Sequence, residues 1–136
     1  MAEVASVSVM SETTSFYKYA AATQGFLLWG GWGFYVNSKI SIRYGISAGL
    51  VQGIFSFVAT LVVVYCLTRL FNYFDRFLFK MTLPTCLMLA ALFSFSVFAH
   101  TVAQTPEILK TILPNLVVSG LFCFFTTYKL INAKTR

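Results

Sequence analysis

The sequence predicts an all-α integral membrane protein in which four transmembrane helices form an up-down-up-down bundle. Four apolar runs of 18 to 23 residues fill most of the 136-residue chain, and most of its Lys and Arg residues lie outside them. At about 1.5 Å per residue, each run covers the roughly 30 Å hydrocarbon thickness of a bilayer. The alternating pattern of a membrane β-barrel is absent, so backbone groups in lipid must be paired within helices.

The predicted spans form one transmembrane domain, 17–131, between two polar tails. Tail 1–16 is expected to be flexible and lacks the basic start and short apolar core of a signal peptide, while tail 132–136 is basic. Links of roughly 8 to 13 residues place neighbouring helices antiparallel and adjacent. The four spans are 19–36, 46–68, 82–103 and 112–130.

The last span has its own start signal. Thr105, Pro106 and Glu107 have the residue types that begin a helix, with Thr as the cap, Pro at the first position and Glu near the positive end of the dipole. Pro114 follows, and proline interrupts helices. We therefore expect 105–112 to form a short turn or helix of its own.

The distribution of basic residues predicts the orientation. Seven of the ten Lys and Arg residues lie before the first span, in the middle link or at the end of the chain from Lys129 onward, and three lie in the other two links. Basic segments stay on the cytoplasmic side, so both termini are expected there, in a cell membrane of the bacterial inner-membrane type. The formal charge of +6 is spread over the links, so we expect membrane lipids and no nucleic acid as partners.

A row of small residues marks the second span as a packing helix. Two overlapping GxxxG units and the small residues that follow lie on one side of it, within about 80° of arc. Lipid gives no hydrophobic drive for helix association, so small residues that permit close approach are needed. We expect docking against the first span or, alternatively, against another membrane protein or a second copy. The helix-packing residues are Gly30, Gly33, Gly45, Gly49, Gly53, Ser56 and Thr60.

Polar residues inside the spans form a second pattern. Each costs free energy in lipid unless it is paired, and Ser96, His100 and Gln104 recur every four residues along one side of the third span. On the predicted orientation these three residues lie in the outer half of the bilayer, and the polar residues of the other spans lie in that half too. Together they could line a hydrated cavity, or they could simply form hydrogen bonds that hold the helices together as structural glue. The substrate-lining candidates are Asn37, Gln52, Ser96, His100, Gln104, Asn115 and Ser119.

The link after the second span interleaves aromatic residues with three cations, Arg69, Arg76 and Lys80. Aromatic rings favour the head-group layer and cations meet lipid phosphates there, so these three are candidate head-group contacts. Ordinary anchoring at the interface explains the same pattern.

Catalytic signatures are missing from the sequence. It has no paired carboxylates, no HExxH and no GxSxG, so we expect no enzyme, no cofactor and no metal. Small multidrug exporters are similar in size but need a carboxylate within the first span, whereas Glu12 lies in the polar tail. Small membrane proteins of polysaccharide assembly, which are thought to move polyprenyl-linked sugars, are similar in length and layout only.

Two functional hypotheses follow. The protein could bind or translocate an amphiphilic or lipid-linked cell-envelope substrate through its polar cluster. Alternatively, it could be a non-catalytic accessory or assembly subunit of a larger membrane complex, held by the glycine row of the second span. Another membrane protein or a homo-oligomer is the expected protein partner.

Overall fold

The computed structural model is all-helical, which confirms the predicted class. It describes the backbone of residues 2–74 and 76–134, and the side chains of 15–74, 76, 79, 80 and 82–132. Parts of both predicted tails lie outside the described side chains, and the flexibility of tail 1–16 stays a prediction. The helices are α1 (Ala2–Ser38), α2 (Ile42–Tyr73), α3 (Phe77–Val102) and α4 (Ile108–Lys134).

The links are shorter than the sequence predicted. They are 39–41, 74–76 and 103–107, because each helix continues through polar residues beyond its apolar run. The expected separate turn at 105–112 was wrong, since α4 begins at Ile108 and continues through Pro114. Pro114 is the seventh residue of α4 and removes the helical hydrogen bond to the carbonyl of Lys110, yet the helix continues past it.

In the described part of the chain, three helices are long and apolar enough to cross a membrane: Ile42–Tyr73, Thr82–Val102 and Ile108–Asn132. The shortest has 21 residues, or roughly 30 Å of helix, which matches the hydrocarbon layer. α1 is not one of the three, because Gln24 and several Gly and Trp residues dilute its apolar part. Many large apolar side chains are exposed around the bundle. A membrane-spanning protein has this surface because lipid surrounds it.

α1 and α2 pack antiparallel through their glycines. A Cβ atom added to Gly30 would lie 2.9 Å from the carbonyl oxygen of Gly49, and one added to Gly49 would lie 2.9 Å from the carbonyl oxygen of Gly30. At the turn, a Cβ atom added to Gly45 would lie 2.8 Å from Cβ of Ser38. Side chains at these positions would force the backbones apart. The glycine row of α2 therefore faces α1 of the same chain.

The remaining predicted packing residues extend the same contact. Gly33 lies against Ala48 and Gln52, and Gly53 lies against Phe26. Near the other end, a Cβ atom added to Gly25 would lie 3.2 Å from the hydroxyl of Thr60.

A small apolar core holds α2, α3 and α4 together towards the α2–α3 link. It consists of Val63 and Leu67 from α2, Met88 from α3 and Cys123 from α4. Most of the buried polar side chains lie nearer the opposite end, where the α1–α2 and α3–α4 links meet.

Candidate functional site

His100 connects α3 to α2 and to the start of the α3–α4 link. Its Nε2 atom lies 2.7 Å from Oε1 of Gln52, and its Nδ1 atom lies 2.9 Å from the hydroxyl of Thr105. His100 and Gln52 are fully buried. An amide oxygen only accepts hydrogen bonds, so Nε2 carries the proton and Nδ1 accepts from the Thr105 hydroxyl.

The α3–α4 link brings Thr105 back onto α3. The Thr105 N–H donates to the carbonyl of His100 at 3.0 Å, and the Ala103 N–H donates to the carbonyl of Ala99 at 3.1 Å. Gln104 lies between them with a φ of 53°, which is the left-handed conformation that commonly ends a helix. The Gln104 side chain is exposed. The predicted row along α3 therefore stops at His100.

Asn37 joins the end of α1 to the start of α4. Its Nδ2 group donates to the carbonyl of Gly33 at 2.9 Å and to the hydroxyl of Thr111 at 2.8 Å. Its Oδ1 atom accepts from the N–H of Glu107 at 3.1 Å. Thr111 donates in turn to the carbonyl of Glu107 at 2.7 Å. Asn37 thus satisfies a free N–H before α4, as an N-cap residue does, but from another helix.

Pro114 determines the partner of Trp32. Because proline has no N–H, the carbonyl of Lys110, four residues earlier, lacks its usual helical donor. The indole N–H of Trp32 donates to that carbonyl at 3.0 Å. A second contact between α1 and α4 results.

A cavity of about 190 Å³ lies between α2, α3 and α4, and α1 contributes to its wall. Four aromatic side chains line it: Trp29, Phe55, Phe93 and Phe122. Phe93 is 41% exposed and Phe122 is 47% exposed. Val118, which also lines the cavity, is 50% exposed. The cavity therefore reaches the lipid-facing surface beside α3 and α4.

Hydroxyl and amide groups line the inner part of the same cavity. The Asn115 Nδ2 group donates to the hydroxyl of Ser56 at 3.0 Å, and the Ser119 hydroxyl donates to Oδ1 of Asn115 at 3.2 Å. Ser96 also lines the cavity and is 4% exposed. Its Oγ atom has no hydrogen-bond partner among the described residues. A buried hydroxyl without a partner costs free energy, so this position favours a ligand that can bond to it.

The seven predicted substrate-lining residues fall into three groups. The first group lines the cavity and consists of Ser96, Asn115 and Ser119. The second group is buried in hydrogen bonds between helices and consists of Asn37, Gln52 and His100. The third is Gln104 alone, which is exposed. The second group has the contacts expected of structural glue.

Sequence reasoning gave Thr105 only the role of a helix cap, which was wrong because α4 begins at Ile108, and it missed Thr111 and the aromatic wall. Thr105 and Thr111 are buried partners of His100 and Asn37, yet threonine is common in any helix. Pro114 was a usable signal, because it frees the Lys110 carbonyl for a donor such as Trp32.

The three candidate head-group cations lie near aromatic rings or at a helix start. Arg69 donates to the hydroxyl of Tyr65 at 3.2 Å, and Nζ of Lys80 lies 5.7 Å from the centre of the Phe71 ring. Arg76 is the N-cap residue of α3 and is exposed. Contact with lipid phosphates stays a prediction.

The fold and the cavity define a helical membrane-spanning protein with a partly polar pocket open to lipid. Within the described part of the chain, no three His, Cys, Asp or Glu residues come close enough to hold a metal ion. Comparison with known protein families, with functionally described proteins and with solved structures finds no match to this chain.

Proposed function

We propose that the protein crosses the bilayer four times, up-down-up-down, with both termini in the cytoplasm. The glycine contact with α2 supports α1 as the fourth span, since it places residues 25–38 beside residues 45–60 of a membrane helix. Side chains 19–36 include no Asp, Glu, Lys or Arg. The excess of basic residues at the two ends of the chain and in the middle link supports this orientation.

We further propose that the protein binds or translocates an amphiphilic molecule, a class that includes lipid-linked precursors of the cell envelope. The cavity supports this proposal, and the observation that carries it is the Ser96 hydroxyl, which has no partner among the described residues, in a mostly apolar wall with a few hydroxyl and amide groups. Apolar walls with a few polar groups are typical of ligand sites. The lateral opening at Phe93 and Phe122 offers entry from the lipid.

The cavity volume limits how much of a ligand lies inside. At about 190 Å³, it exceeds the ~150 Å³ cavity that takes up benzene. It is smaller than the roughly 300–1,000 Å³ pockets that enclose drug-sized ligands. One ring or one short chain segment therefore fits, and the remainder of the amphiphile lies along the helices in the lipid.

Ala59 allows a direct test, because it lines the cavity and is small. The protein is purified in mild detergent, and bound molecules are detected by native mass spectrometry. We expect the natural chain to retain an amphiphile and Ala59→Phe, which fills the cavity, to lose it. Ala90→Phe is the matched control on the exposed side of α3 and is expected to retain it. Size-exclusion profiles and helical circular dichroism establish that both variants fold.

Two results would contradict the proposal. One is a natural chain that carries no amphiphile in any mild detergent, and the other is retention by Ala59→Phe equal to that of Ala90→Phe. Stoichiometric co-purification of another membrane protein, without an amphiphile, would favour the accessory-subunit hypothesis.

A further inference from the structure

The charge of the cavity wall restricts the ligand, if the cavity binds an amphiphile as proposed above. The described residues that line it are apolar, aromatic, hydroxyl or amide side chains, and none of them is charged. An ion placed within the bilayer needs an opposite charge or a dense set of hydrogen bonds. The phosphate of a lipid-linked precursor, or an ammonium group, would find neither there.

The hydrogen bonds already present restrict it further. Asn115 links the hydroxyls of Ser56 and Ser119, so these three groups have partners within the protein. The Ser96 hydroxyl has none among the described residues, although it is buried and Ser96 is one of the residues that line the cavity. A ligand oxygen is the simplest complement, because a hydroxyl can donate one hydrogen bond to it.

The wall also has a shape preference. Each of the four helices contributes one aromatic side chain to the cavity of about 190 Å³: Trp29, Phe55, Phe93 and Phe122. Aromatic side chains favour offset or edge contacts with a planar ring. The volume accommodates one six-membered ring with small substituents, since a cavity of about 150 Å³ already takes up benzene.

We propose that the cavity holds an uncharged ring bearing a carbonyl or hydroxyl oxygen, the head of a neutral amphiphile. The Ser96 hydroxyl donates to the ring oxygen, and the apolar tail leaves past Phe93 and Phe122 into the lipid.

The two tryptophans provide the assay. Trp29 lines the cavity, whereas Trp32 is hydrogen-bonded to Lys110 and does not. The probe is a 1,4-benzoquinone with a ten-carbon chain, because a quinone quenches indole fluorescence on contact. We expect saturable quenching in the Trp32→Phe variant, in which only Trp29 emits. The Trp29→Phe variant is the control and should show no saturable quenching.

Competition separates neutral from charged head groups. A decyl phosphate and a decyl trimethylammonium are added to the quinone-bound Trp32→Phe protein. We expect neither to restore fluorescence at concentrations where a neutral decyl phenol does so. Displacement by the phosphate at or below the phenol concentration would overturn the proposal.

Substitution of Ser96 tests the hydrogen bond. Ser96→Ala should weaken quinone binding about two- to tenfold, the range expected for one hydrogen bond. It removes a buried hydroxyl that has no partner, so the variant should fold at least as stably as the parent. Ser94→Ala is the matched control, since the exposed Ser94 hydroxyl donates to Ala90 in its own helix. Unchanged affinity in Ser96→Ala would overturn the proposal.

The outcomes distinguish this inference from the proposed function. A charged amphiphile that co-purifies and is lost in Ala59→Phe would support the proposed function and overturn the neutral-ring inference. If the natural chain carries no amphiphile and the Trp32→Phe variant shows no saturable quenching, the proposed function and the neutral-ring inference are both overturned.

Discussion

Replacing Gly30 with alanine tests the close contact between α1 and α2. The added Cβ atom would lie 2.9 Å from the carbonyl oxygen of Gly49 and 3.2 Å from Cα of Gly53. Both are backbone atoms, so a rotamer change cannot relieve the clash. Ordinary contacts begin at 3.4 Å, so the helices must separate by about half an ångström. Overpacking of this kind costs about 1–3 kcal/mol.

Gly31 is the matched control in the same helix. A Cβ atom added there would meet nothing within 4 Å, and alanine removes the conformational cost of glycine, about 0.5–1 kcal/mol. We therefore expect Gly31→Ala to be neutral or stabilising and Gly30→Ala to be destabilising. Reversible unfolding in mixed micelles, followed by circular dichroism, measures the free energy of unfolding of each variant. Equal values for the two variants would refute the proposed glycine contact.

Two further substitutions test the polar end of the bundle. Gln104→Gly should raise the free energy of unfolding by up to about 1 kcal/mol. Gln104 has a φ of 53°, where a side chain costs roughly 1–2 kcal/mol, and the conformational cost of glycine offsets about 0.5–1 kcal/mol of that gain. A lower unfolding midpoint in the micelle titration would contradict this. Thr111→Val leaves one of the two N–H donors of the buried Asn37 amide without an acceptor and should lower the free energy of unfolding by about 1–3 kcal/mol. Thr101→Val is the control, because Thr101 is exposed and its hydroxyl is bonded within its own helix; it should change the free energy of unfolding by no more than about 0.5 kcal/mol. Equal losses in the two valine variants would argue against the Asn37 contact.

The helical class was predictable because uncharged runs of this length can satisfy their backbone groups in lipid only as helices. The helix ends were less predictable. α2 extends from Ile42 to Tyr73, beyond its apolar run of 46–68, because polar and aromatic residues at the membrane surface remain helical. Hydropathy records where the lipid lies, whereas the helix ends depend on local turns such as 39–41.

The candidate site was predictable along single helices and not between them. Spacing correctly placed Ser96 and His100 one turn apart on α3, and a positive φ then took Gln104 away from that row. Which residues of different helices meet depends on helix rotation, which the sequence does not specify. The contact of His100 with Gln52, and the position of Trp29 at the cavity, therefore needed the structure.

Both proposals depend on the chain crossing the bilayer four times. The accessibility of single cysteines to a reagent outside the cell tests these crossings most directly. Single cysteines replace Ser15, Ile40, Tyr73 and Gln104 in a chain whose three native cysteines, Cys66, Cys86 and Cys123, are alanine. In intact cells, a membrane-impermeant maleimide should label positions 40 and 104 and leave 15 and 73 unlabelled until the membrane is opened. Labelling of positions 15 and 40 from the same side would show that α1 does not cross, and labelling of 73 from outside would contradict the arrangement of the bundle.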